Sequence, residues 1–241
     1  MAPLVHLYSH SPELTTPTIK SLKVVEMPLP SRTIDGWSNS LLYLQHLDIE
    51  CRLTSSRFLD PEEADPELAI EQAGRWRSEI QNLTNLRSLR LRGTGNWKTA
   101  LTARSVYVDD FLHGVQLPRL NSLSLVNWPV REIGLAKIIR QHRESLTSLE
   151  FRRISIEVTQ MGPTRGVTVA WRRIAAFCAQ CSDVERFSFR ELKVHDVSGQ
   201  AIEAPPLFGD ERVQAHVKGI RDYYRIARGL LNYGPTPLDA Q

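Results

Sequence analysis

The sequence predicts an α/β fold, a solenoid in which a strand-and-helix unit repeats to build one parallel sheet on its concave side with helices on its convex side. Three observations carry this. Apolar residues recur at positions i, i+3 and i+5 in six windows, the text between windows has helical periodicity, and the windows spread over most of the 241 residues. They begin at Ile19, Leu44, Leu86, Leu120, Leu146 and Val184, and read IKSLKV, LQHLDI, LRSLRL, LNSLSL, LTSLEF and VERFSF. Four carry Ser at the third position, and the intervals between first positions are 25, 42, 34, 26 and 38 residues.

Side chains alternate across a strand, so positions i+3 and i+5 share one face. Position i precedes the strand, at a bend where a large apolar side chain can again reach the core. Each window is therefore a bend followed by a short strand with one buried face. Between windows, helical spacing appears at Trp76, Ile80 and Leu83, at Leu135, Ile138, Ile139 and His142, and at Trp171, Ile174, Ala175 and Cys178. Strand, helix, strand in repetition implies parallel strands joined by right-handed crossovers. One unit cannot bury its apolar face alone; stacked units can.

The remaining segments follow from composition. DPEEADPELAIEQAG reads as an acidic loop opening a helix, since Pro suits the first helical turn. TQMGPTRG reads as a turn, RGTGN (Arg92–Asn96) as a repeat turn without the third Gly and the Lys of a phosphate loop, and GQAIEAPPLFGD as a loop. Val213, Val217, Ile220, Tyr224 and Ala227 then line one side of a C-terminal helix with Asp210 as its N-cap, packed on the final repeat before a frayed tail. The expected organisation is a short leader over residues 1–18, about six irregular repeats over 19–200, and a C-terminal loop, packing helix and tail over 201–241.

The windows resemble the leucine-rich repeat family in its ribonuclease-inhibitor-like form, over residues 19–194, and within it the repeat region of fungal F-box proteins. That family often has Asn or Cys eight residues after the first Leu, where the side chain bonds loop backbone. Here those places hold Met27, Arg52, Thr94, Trp128, Ile154 and Leu192, with Cys51 and Asn127 one residue early. The resemblance implies a scaffold or substrate-receptor-like role, with the concave sheet face as the binding surface. An F-box itself is not expected, because Pro17 stands where its helix would run. The chain is then either a short form or a fragment without the adaptor-binding part. Its leader is expected to leave the edge of the first strand uncovered, the weak point of such an array.

Composition excludes several classes. The chain is 41% hydrophobic and 24% charged, an ordinary soluble globular balance. Thirty Lys and Arg against 27 Asp and Glu leave a net charge of +3, a small excess for a nucleic-acid binder. Three Cys give no disulfide framework, which favours a reducing compartment, cytoplasmic or nuclear. The start MAPLVHLYSHSPEL has no basic n-region, and no segment approaches the roughly 18 apolar residues of a membrane span.

Chemical motifs are sparse. Cys178 and Cys181 have CxxC spacing, but they close a helix on its apolar stripe and read as buried packing. His142 sits on an apolar stripe and reads as a structural histidine. His46, His113, His195 and His216 have no ligand spacing. No nucleophilic, paired-carboxylate or metal constellation emerges, so neither catalysis nor a cofactor is expected.

The strongest signal is the exposed strand face, positions i+2, i+4 and i+6 of each window. It carries His46 and Asp48 on the second window, Arg90 and Arg92 on the third, Glu150 and Arg152 on the fifth, and Arg186 and Arg190 on the sixth. Arg outnumbers Lys there, and Arg is enriched at interfaces. A protein partner with an acidic surface is expected on this face, and charge reversal at Arg92, Arg152 and Arg190 is expected to leave folding intact. A nucleic-acid partner is the first alternative, weakened by the absence of aromatic residues from the exposed columns, and an enzyme is the second and least favoured, since a fold hosts many functions and sites decide.

Overall fold

The computed structural model of the chain describes residues 5–7, 19–27, 41–52, 66–94, 107–158, 165–181, 184–196, 201–202 and 215–222. Each of the six windows forms a strand. These are β2 (Ser21–Met27), β3 (His46–Arg52), β4 (Ser88–Thr94), β5 (Ser122–Val126), β7 (Ser148–Arg152) and β9 (Arg186–Arg190). They pair in parallel and in chain order. Leu22, Leu47, Leu89, Leu123, Leu149 and Phe187 form one row across the sheet. Val24, Ile49, Leu91, Leu125, Phe151 and Phe189 form the next. All are buried except Phe187, which is half-buried on β9, the last strand of the row.

The bend at position i has a recurring backbone device. The carbonyl just after it, at Lys20, Gln45, Arg87, Asn121 and Thr147, accepts two N–H groups from the start of the next strand. Gln45 and His46 donate to Lys20, for example, and Asn121 and Ser122 to Arg87. The first apolar residue turns inward at each bend. Leu44, Leu86, Leu120, Leu146 and Val184 are fully buried, and Ile19 packs on the core's rim.

Helices cover the buried rows. They are α1 (Pro66–Gln81), α2 (Val108–Leu112), α3 (Glu132–Gln141) and α4 (Arg165–Ala179), each packed beside the next. The Asp-Pro expectation holds, since α1 opens at Pro66. The apolar stripes Trp76 and Ile80, Leu135, Ile138 and Ile139, and Trp171, Ile174, Ala175 and Cys178 join the strand rows in one core. A last helical segment, α5 (215–222), puts Val217 into that core and Ile220 against it. Val213, Tyr224, Ala227 and the expected cap Asp210 lie outside the described residues.

A second sheet is absent from the sequence reading. It comprises β6 (Pro129–Arg131), β8 (Ser155–Val158), β10 (Lys193–Asp196) and β11 (Ala201–Ile202), ordered β11-β10-β8-β6. Its first three members are parallel and each follows a sheet-one strand by a few residues. One residue makes each turn between them. Asn127, Arg153 and Glu191 have φ of 61°, 55° and 56°, seven positions after Leu120, Leu146 and Val184. Asn tolerates this left-handed region; Arg and Glu strain there by about 1–2 kcal/mol each. The turns bond one another, Asn127 N–H to the Arg152 carbonyl and Arg153 N–H to that of Arg190, each at 2.8 Å. The Asn127 side-chain amide also donates to the Gly93 carbonyl at 2.7 Å, which ties this turn to the end of β4 rather than to a loop.

Three local expectations are corrected. The leader supplies β1 (Val5–Leu7), antiparallel to β2, so the first parallel strand has a paired edge; the alternating PLVHLY suits a strand. Arg92–Thr94 continue β4 rather than turning, because they pair with Glu50, Cys51 and Arg52. Ala201 and Ile202, expected in a loop, pair antiparallel with β10. The TQMGPT part of the expected turn (159–164) lies outside the described residues.

Candidate functional site

The exposed columns stand in register as expected. Asp48 is opposite Arg90, Glu50 opposite Arg92, Ser148 opposite Arg186, and Arg152 opposite Arg190. His46, Arg152, Arg186 and Arg190 are exposed, while Asp48, Arg90, Arg92 and Glu150 are half-buried. The column at the far end breaks at β2, where register shifts between Val24 and Met27, so Val25 does not continue the row.

Many of these charges already answer one another. Arg92 donates to both carboxylate oxygens of Asp48 at 3.0 Å and lies 3.3 Å from Glu50. Such two-point Arg–carboxylate geometry is among the stronger ionic contacts. Arg90 reaches across β5 to within 3.8 Å of Glu150, which accepts a 2.6 Å hydrogen bond from Ser124. Ser124 lies beneath them and is 8% exposed, although its column is otherwise open. Glu191 accepts from Arg153 at 2.8 Å and lies 3.7 Å from Arg152. That bond to Arg153 holds the Glu191 carboxyl below its usual range. Arg186 and Arg190 have no ionic partner among the described residues. The face therefore grades from a neutralised side at β3 and β4 to a cationic side at β7 and β9.

A second polar group escaped the sequence reading. Arg131, Glu157 and His195 stand in one row across β6, β8 and β10. Tyr107, just before α2, donates its hydroxyl to Glu157. The Arg131 guanidinium lies 4.0 Å over the Tyr107 ring and donates to Asp109 at 2.7 Å and Asp110 at 3.1 Å. Ser155 and His195 share a 2.8 Å hydrogen bond while 3% and 1% exposed. Burial, then the bond to Glu157, pushes the Tyr107 hydroxyl pKa up. Burial acts to lower that of Arg131, and Asp109 and Asp110 more than offset it, so the guanidinium stays charged. These contacts tie the α2 entrance to the second sheet. Their members are far apart in sequence, and nothing in it marks β6, β8 and β10 as neighbours.

The residues weighed for chemistry have packing roles. His142 is buried, with Nδ1 2.9 Å from the Ile138 carbonyl and Nε2 accepting the Leu117 N–H at 3.2 Å. Burial pushes its pKa down. Cys178 and Cys181 are free, fully buried thiols, and burial pushes Cys181 up to about 12 and Cys178 well above its ordinary value. Among the described residues, no cluster of three or more His, Cys, Asp or Glu side chains is placed to hold a metal ion, and no helix is long and apolar enough to cross a membrane. The chain matches no protein-family model and no curated protein.

Proposed function

We propose that the chain is a leucine-rich-repeat solenoid acting as a protein-recognition module or scaffold, without catalysis of its own, and that it binds an acidic protein surface at the β7–β9 side of its exposed sheet face. The observation that carries this is the charge gradient. Arg92 and Arg90 are engaged by Asp48, Glu50 and Glu150, whereas Arg186 and Arg190 stand exposed without an ionic partner among the described residues, beside Arg152. Carboxylates on this face favour a protein groove over a phosphate chain, which would meet Asp48 and Glu50 on β3 and Glu150 on β7. The spacing of the six windows resembles, in sequence, the repeat region of F-box proteins, and that resemblance motivates a receptor-like role.

The test compares affinity capture by the parent chain and by the Arg152→Glu, Arg190→Glu double variant at low salt. The reading expects the variant to fold normally and to lose a defined protein partner, with the loss appearing in the association rate. An unchanged partner set at unchanged on-rate would move the binding surface off this face. Strong salt-dependent retention of RNA or DNA by the parent would favour the nucleic-acid alternative.

A further inference from the structure

We propose that the helix side carries a second docking site, a groove between α2 and α3 that takes a single large apolar side chain from an acidic segment of a partner protein. The open groove has a volume of about 280 Å³. Its floor is Leu112 and Ile138, both buried, and its rim is His113, Lys137, Arg140 and Gln141, all exposed. That volume lies at or below the small end of small-molecule pockets, which run from about 300 to 1,000 Å³. It suits one anchoring side chain better than a whole cofactor.

Two further observations specify the occupant. Ile133, one helical turn before Lys137, is 70% exposed, more than Leu42 and Tyr43, the other exposed large apolar residues among those described. Residues four apart share a helix face, so apolar surface continues from the groove mouth along α3. The rim carries two cations, Lys137 and Arg140, beside His113 and the neutral Gln141, with no carboxylate among the lining residues. Asp109 and Asp110 of α2 pair with Arg131, and Glu132 of α3 pairs with Arg173. Arg140 lies 5.0 Å over the Phe177 ring, which holds its charge at the rim. An apolar anchor flanked by Asp or Glu matches both the floor and the rim.

The probe is a fluorescein-labelled, Glu-rich peptide with one central leucine, titrated against the whole chain at low salt and followed by anisotropy. Saturable binding is expected, weakened roughly tenfold or more when the leucine becomes alanine, the scale of an interface anchor. Lys137→Glu should weaken it similarly, and His113→Glu gives an independent variant that leaves Arg140 on Phe177. Arg152→Glu with Arg190→Glu should leave it unchanged, which separates this site from the sheet face. Absence of saturable binding, indifference to the leucine, or loss with the Arg152/Arg190 variant instead of the Lys137 and His113 variants would each overturn the assignment.

Discussion

Arg92 grips Asp48 diagonally, from two residues further along the neighbouring strand, with both guanidinium contacts at 3.0 Å. Register alone would set Arg92 against Glu50, and it touches that carboxylate too. Its charge is thus structural, and reversing it should not be silent. Arg92→Glu places a third carboxylate between Asp48 and Glu50, and a loss of about 1–3 kcal/mol is expected. Arg190→Glu should shift stability by less than about 0.5 kcal/mol. Urea denaturation of both variants checks the contrast; equal midpoints would show that the ionic group contributes nothing.

Gly134 is expected to be intolerant of even one methyl. A Cβ there would stand 2.5 Å from the Asp109 Cβ and 2.6 Å from its Cγ. Neither atom is the far end of a flexible chain, and Asp109 is held by Arg131. Gly134→Ala should therefore push α2 from α3 and lower stability by about 1–3 kcal/mol, despite the better helix propensity of Ala. A thermal midpoint at or above that of the parent would contradict the close packing of these helices.

Stability should fall on mild acidification because of His142. Its folded pKa is lowered by burial, so the unfolded chain takes up the proton first. The contribution is complete above the unfolded value of about 6.5 and is lost as pH falls from there through the folded value. His142→Gln should flatten this part of the profile, even if it lowers stability throughout. Urea midpoints across this range would show it; a variant with the parent's slope would assign the proton uptake elsewhere.

The buried thiols should be silent toward a thiol reagent until the chain opens. Cys178 and Cys181 are fully buried with raised pKa values, which removes both access and thiolate. Mass spectrometry after brief native labelling should find both unmodified, and denaturant should expose them together. Prompt native labelling of Cys181 would mean that the α4 end opens locally.

The sheet was legible because its signal is made of large apolar residues at fixed spacing. Leu44, Leu47 and Ile49 announce themselves, and the same spacing gives parallel register with the next window. The second sheet was not legible, because β6 and β8 are short and the turns before β8 and β10 use Arg153 and Glu191 in a conformation those residues rarely adopt. Only Asn127 is a residue that the left-handed turn favours. The exposed columns could likewise be placed residue by residue, while their pairing could not. Whether Arg92 stands free or reaches Asp48 depends on side-chain conformation. Ser124 is buried in an exposed-face column, bonded to the Glu150 that Arg90 approaches.

The carbonyls that each accept two N–H groups at the strand starts have a consequence for how such a chain can change over time. They fix the phase of β3, β4, β5, β7 and β9 at the first residue of each. Intervals as unlike as 42 and 26 residues deliver strands to the same phase. Residues gained or lost in a crossover lengthen or shorten an arc on the helix side without rotating a single exposed side chain on the sheet. One side of the molecule can therefore be edited freely in length while the other keeps its pattern of charges.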